Sequence, residues 1–226
     1  MNNPIAAEDY WQVLLPAGTV SDPLAWSGTY VATLPDGRQL PLPLRARDDG
    51  TALASLILNQ ASFEVQETLA EQLADRLAAC EIELVVGLPT LGLTLAAAIA
   101  RQLGHRRYLP LGTSPKFWYR DELSVPMSSV TTLSERRVYI DPRLLPLLGG
   151  RRVALIDDVI SSGRSIVAGI ELLALCGVAP VAIGAAMLQG EAWRAAQTAA
   201  LPHWQERTFG VFATPVLRRT ATGWAA

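Results

Sequence analysis

Val153-Ala154-Leu155-Ile156-Asp157-Asp158-Val159-Ile160-Ser161-Ser162-Gly163-Arg164-Ser165 is the most informative stretch of the chain. Its first four residues are all apolar, as expected of a strand buried on both faces of a parallel sheet. Two adjacent acids follow, then two apolar residues, then a small-residue turn that opens a helix. Open α/β sheets deliver ligand groups at the carboxyl ends of their strands, so Asp157 and Asp158 are expected at a crevice edge. Acids there suit sugar hydroxyls or a metal-bound ligand. Directly after them, Ser161, Ser162, Gly163, Arg164 and Ser165 are expected to gather backbone N–H groups, three hydroxyls and a helix N-terminus around one concavity. That is an anion site, and the natural anion is phosphate. The alternative is a capped helix after a strand whose two acids are simply solvated, because Asp and Ser favour helix starts for local reasons.

The rest of the chain supplies a setting for this segment. Apolar runs at residues 84–88, 107–111, 153–156 and 181–188 alternate with helical stretches at 91–103 and 165–175. Continuous apolar strands separated by helices predict a doubly wound, mostly parallel α/β sheet covered on both faces. Before it, Val65, Leu69, Leu73 and Leu77 recur at helical spacing with Glu64, Glu67, Glu71 and Asp75 between them, which predicts an amphipathic helix from Phe63 to about Cys80. Residues 1–60 are rich in Pro, Gly and short β-type runs, and Asp36-Gly37 reads as a two-residue hairpin turn between strands. The expected organisation is an N-terminal β-rich lobe over residues 1–60, an α/β core over 61–200, and a tail or lobe extension over 201–226. Residues 112–137 have no clear periodicity, which marks a functional, disordered or hairpin excursion.

Composition narrows the classes. Half of the 226 residues are hydrophobic and 18% are charged, with 17 Gly and 15 Pro, so disordered, collagen-like and disulfide-stapled classes do not fit. The net charge of −2 argues against the basic footprint of sequence-independent nucleic-acid binding. Cys80 and Cys176 lie far apart in apolar contexts and read as a reduced, buried pair, which implies a cytoplasmic setting. No secretory leader is read at the start, and the uncharged run 172–190 is broken by Gly177 and Pro180, so it reads as helix, turn and strand instead of a membrane span. His105 and His203 are too scattered for a histidine metal site, and the six Trp read mostly as core or interface anchors.

The thirteen-residue segment resembles the phosphoribosyl pyrophosphate (PRPP) signature of type I phosphoribosyltransferases. The resemblance implies that Asp157 and Asp158 hold the ribose 2′ and 3′ hydroxyls, and that Ser161, Ser162, Gly163, Arg164 and Ser165 clasp the 5′-phosphate. Arg164 replaces a smaller residue of the family pattern and either adds phosphate affinity or points to solvent; Ser165 replaces a common Thr. Leu88, Pro89 and Thr90, at a strand-to-helix turn closed by Gly92, resemble the family's pyrophosphate loop, where small residues let backbone amides approach an anion. Residues 112–137 stand where these enzymes carry a mobile loop that closes over the sugar, so Lys116 and Arg120 either offset charge on departing pyrophosphate or are solvated. Phe117, Trp118 and Tyr119 are packing residues or a dimer contact.

Residues 58–60, the Lys116 loop and 128–141 are similar to the xanthine and adenine phosphoribosyltransferase branch. Asn59 matches a family Asn near the base, although an Asn before a helix is also a routine cap. After the last core strand, xanthine-type enzymes carry an acidic and a basic residue before an aromatic. This chain has Gln189, Gly190, Glu191 and Trp193 instead, so Gln189 and Trp193 are candidate base contacts while xanthine itself does not follow. The expected activity is transfer of the phosphoribosyl group of Mg2+-PRPP to a nucleobase, a purine in this branch, with Mg2+ near Asp157 and Asp158, and with a homodimer and no nucleic-acid or membrane partner. The competing expectation is a non-catalytic PRPP-binding regulator of the same fold. A generic response-regulator-like domain explains the acid pair but not the phosphate loop.

Overall fold

A computed structural model describes residues 5–21, 23–127 and 136–226. The N-terminal segment forms three antiparallel strands, Thr29–Thr33 (β1), Gln39–Ala46 (β2) and Thr51–Ala54 (β3). Ala52 and Ala54 on β3 are buried at the two-residue period of a strand with one face on a core, whereas β2 buries Gln39, Leu40, Pro41 and Leu42 in succession. The β1–β2 turn differs from the expected two-residue loop. Gly37 N–H donates to Leu34 O at 2.9 Å and only Gly37 of the pair has a positive φ, +87°. Pro35 and Asp36 are therefore the centre of the turn and Gly37 its closing residue, whereas a two-residue type I′ turn needs two residues at positive φ.

Helix α1 spans Phe63–Leu77 and buries Val65, Leu69, Leu73 and Leu77 along the predicted stripe. Its cap is Ser62, whose Oγ accepts from Val65 N–H at 3.3 Å. The cap expected at Asn59 is thus displaced, because Asn59 sits on a separate 3-10 turn, Leu58–Gln60, and is exposed.

The core then runs through Leu84–Gly87 (β4), helix α2 at Gly92–Gln102 and Leu109–Pro110 (β5). A hairpin follows, Ser124–Pro126 (β6) paired antiparallel with Arg137–Tyr139 (β7), so the aperiodic stretch is a hairpin excursion whose segment 128–134 lies outside the described residues. Val153–Ile160 (β8), helix α3 at Arg164–Leu175, Ala182–Gln189 (β9) and Thr208–Thr214 (β10) complete it. The five core strands are all parallel, in the order β10-β9-β8-β4-β5. Helices α1 and α2 pack on one face of this sheet, and α3 on the other together with the β6–β7 hairpin. This is the expected doubly wound α/β fold. Strand β8 extends past residue 156 because β9 continues beside it, pairing Asp157 with Ala185 and Ile160 with Leu188.

The C-terminal residues divide between two sheets. β10 is a core strand, while Leu217–Arg219 (β11) and Trp224–Ala225 (β12) join the N-terminal strands, with Leu217 opposite Ala52 on β3. Boundaries at residues 60 and 200 therefore do not follow the sheets, since the hood is built from both ends of the chain. Cys80 and Cys176 are free thiols, and among the described residues no helix is long and apolar enough to cross a membrane.

Candidate functional site

In chain order the core strands run 2-1-3-4-5, and the reversal of direction falls between β4 and β8. Such a switch point opens a crevice at the carboxyl ends of the two strands. Pairing of β4 with β8 ends at Gly87 opposite Ile156, and Leu88 N–H donates to Ile156 O at 2.8 Å. The chain then turns through Pro89 and Thr90, whose peptide bond is cis, into α2. Gly92 lies so close to β8 that a Cβ there would stand 2.7 Å from Asp157 Oδ1 and 2.8 Å from Asp157 Cα. Gly92, which closes this turn, and Asp157, 65 residues apart in sequence, are thus brought into direct contact.

Asp157 and Asp158 are 7% and 8% exposed. Asp158 N–H donates to Asp157 Oδ1 at 3.0 Å, and neither carboxylate forms an ion pair with a described residue. Burial pushes both acids above the ordinary carboxylate range, Asp157 most, with its neighbour's charge adding to the effect. Asp157 and residues 159–166 enclose a cavity of about 110 Å³. Gly163, at φ +78°, is the residue before α3 and gives that helix no side-chain cap, so the first backbone N–H groups of α3 face the loop. Ser161, Ser162, Arg164 and Ser165 all line this cavity.

A second cleft of about 200 Å³ lies where the hood meets the core. Leu53, Leu56, Val159 and Met187 give it apolar walls, and Arg45, Ser55, Asp158 and Gln189 supply its polar side chains. Gln189 is 8% exposed, and its Nε2 donates to Ala54 O across the sheets at 2.6 Å. Arg45 had no signal in the sequence, because only the approach of β2 and β3 to β9 brings it to this cleft.

Trp193 does not belong to the cleft. It is 2% exposed, its Nε1 donates to Gly190 O at 3.1 Å, and it packs near Trp204 at a 5.9 Å centroid distance on the α3 face of the sheet. Its indole has no open face for a base, so it is a core anchor. Asn59 and Lys116 are exposed and absent from the lining of both cavities. Beside Lys116, Trp118 is locked in place: its Nε1 donates to Asp141 Oδ2 at 3.2 Å and the Arg143 guanidinium lies 4.0 Å over its ring. Arg143 also hydrogen-bonds Asp141, holding that carboxyl at about 2. Phe117 is 96% exposed. Among the described residues no three His, Cys, Asp or Glu side chains form a metal-binding cluster.

Comparison with known proteins places these features in a family. The Phosphoribosyl transferase domain pattern matches residues 54–208, more than half of the chain. A Pseudomonas aeruginosa protein named Bifunctional protein PyrR is 35% identical over 89 residues, 39% of this chain and 46% of that protein. An Archaeoglobus fulgidus protein named Transcriptional regulator GfcR is 30% identical over 136 residues, 60% of this chain and 54% of that protein. The chain thus spans about half the length of the curated relatives it matches. Among solved structures, adenine phosphoribosyltransferase from Giardia lamblia, complexed with 9-deazaadenine, has a TM-score of 0.58 at 21% identity, over 76% of this chain and 93% of that one. The enzyme from Rhodothermus marinus has a TM-score of 0.53 at 21% identity, over 70% and 83%. At such identities the structures speak for the fold alone, and with the matched residues spanning β3 to the start of β10, the chain belongs to the phosphoribosyltransferase domain family.

Proposed function

We propose that this protein transfers the phosphoribosyl group of Mg2+-PRPP to a purine base, giving a nucleoside monophosphate and pyrophosphate. The observation that carries this reading is the contact between the 88–92 turn and Asp157 at the switch point, directly beside the loop cavity. It sets an acid pair, an anion loop and a second amide-bearing turn around one crevice. Asp157 and Asp158 accept hydrogen bonds from the ribose hydroxyls. Ser161, Ser162, Gly163, Arg164 and Ser165 hold the 5′-phosphate through backbone N–H groups and hydroxyls. The turn at Leu88, Pro89 and Thr90 holds the pyrophosphate, and the base enters the hood cleft beside Gln189.

A buried acid pair with no ion-pair partner among the described residues fits a divalent ion carried with the substrate. Asp157 and Asp158 would hold Mg2+ near them when it arrives with PRPP, and the ion would supply charge neutralisation of the leaving group. The protein's own part is positioning and water exclusion: both acids orient the sugar, the hood closes one side, and Lys116 faces the leaving group when its loop folds over. No covalent nucleophile is required. The free thiols agree with a cytoplasmic setting, and the exposed Phe117 beside the anchored Trp118 agrees with a homodimer.

The similarity to proteins named Bifunctional protein PyrR and Transcriptional regulator GfcR favours a second reading, a PRPP-responsive regulator. One experiment tests both. Calorimetry with Mg2+-PRPP is run on the wild type and on Asp157→Asn/Asp158→Asn, beside pyrophosphate release with adenine, guanine, hypoxanthine, xanthine, orotate and uracil. Expected are PRPP binding and purine-dependent turnover in the wild type, both lost in the folded double variant. Unchanged PRPP affinity in that variant removes the ribose-site assignment; orotate or uracil as the sole substrate removes the purine; tight PRPP binding without turnover favours the regulator.

A further inference from the structure

We infer that Arg45 selects the acceptor, and that it selects purines with an oxo group at position 6 over adenine. The inference rests on the reading above, in which the hood cleft takes the base. Arg45 lies on β2 opposite Leu53 of β3, and both line that cleft with Asp158, Met187 and Gln189. Among the described residues Arg45 has no hydrogen-bond or ion-pair partner, although Arg38 and Arg47 in the same hood are both paired with acids. A guanidinium is donor-only and presents its N–H groups as a planar fork.

Ser55, Asp158 and Gln189 are the other polar side chains of the cleft, and Gln189 is the amide among them. A free amide would read adenine well, because its carbonyl and NH2 together match the amino group and ring nitrogen of that base. Here Nε2 is turned to Ala54 O at 2.6 Å, and since a carbonyl only accepts, this bond fixes which end of the amide faces the hood. Gln189 thus spends one of its two N–H donors on the hood and keeps its Oε1 as an acceptor for the cleft. Among the described residues Arg45 is the one cation of the lining, and its donor fork matches the O6 and N7 acceptors of a 6-oxopurine. Adenine presents its amino group where O6 would stand, setting donor against donor at Arg45.

The test compares binding of inosine 5′-monophosphate and adenosine 5′-monophosphate by calorimetry, in the wild type and in Arg45→Ala, with ribose 5-phosphate and PRPP as probes of the sugar-phosphate site. This readout needs no turnover. The expected result is inosine monophosphate bound roughly tenfold to a hundredfold more tightly than adenosine monophosphate, the range for one bidentate contact. In Arg45→Ala that ratio falls toward one while ribose 5-phosphate affinity is kept within about twofold, which also shows that the variant is folded. Equal or tighter binding of adenosine monophosphate by the wild type, or a preference that survives Arg45→Ala, overturns the role of Arg45 and leaves the PRPP site standing. Absence of PRPP and ribose 5-phosphate binding overturns the proposed function and the acceptor assignment together.

Discussion

Gly92→Ala is the sharpest test of how the crevice is built. A Cβ at this position would lie 2.7 Å from Asp157 Oδ1, 2.8 Å from Asp157 Cα and 3.1 Å from Ile156 O. Ordinary van der Waals contact begins near 3.4 Å, so the first two approaches are short by about 0.7 and 0.6 Å. Two of the three atoms are main chain of β8, which is paired on both sides by β4 and β9 and cannot yield. The strain falls instead on α2 and on the Asp157 side chain. Overpacking of this kind costs about 1–3 kcal/mol, and the main-chain partners put this site at the upper end, about 2–3 kcal/mol. For a chain of this length that corresponds to a fall in Tm of about 4–12 °C. If Asp157 orients the sugar as proposed above, a displacement of about half an ångström in its carboxylate is expected to weaken PRPP binding as well. Gly149→Ala is the control, because nothing lies within 4 Å of its Cβ, and it is expected to stay within about 0.5 kcal/mol of the wild type. Scanning calorimetry and PRPP titration of both variants decide the matter. Equal Tm and equal PRPP affinity for the two would refute the close-approach argument.

Two further outcomes follow from charge burial. Because burial raises the Asp157 carboxyl in the folded state, the native protein binds more protons than the unfolded chain above about pH 4, and stability falls as pH rises through the interval up to the raised value. Asp157→Asn removes that fall and is expected to raise Tm at neutral pH, with no gain at pH 3. A variant that is less stable at every pH would show that the acid is not strained in the absence of ligand. Asp141 has the opposite sign: hydrogen bonds from Arg143 hold it at about 2, so its contribution is complete above pH 4 and is lost as pH falls toward 2. Arg143→Ala is expected to flatten the thermal stability profile between pH 2 and 4 and to loosen Trp118, read by its fluorescence. Parallel profiles for variant and wild type would exclude the pair as a source of acid sensitivity.

The sequence by itself was enough for the parallel α/β core and for the small-residue loop that opens α3, because the determinants of each are contiguous. An all-apolar strand can only be buried on both faces, and residues 157–165 carry their acids, hydroxyls and helix start within nine positions. The strand at 84–87 and helix α1 were legible for the same reason, each from its own period. What the sequence could not decide was anything set by a neighbour distant in the chain. Thr208–Thr214 became a core strand because β9 offered an open edge, and Leu217–Arg219 entered the hood because β3 did. Trp193 and Gln189 stand four positions apart, yet one packs on the α3 face and the other bonds to Ala54, 135 positions away. Arg45 looked like any exposed hood cation until β2 was laid beside β9. Local pattern encodes which face of an element is apolar and where its backbone donors end, while the identity of the group across a cleft depends on which two sheets meet there, and that is decided by tertiary packing alone.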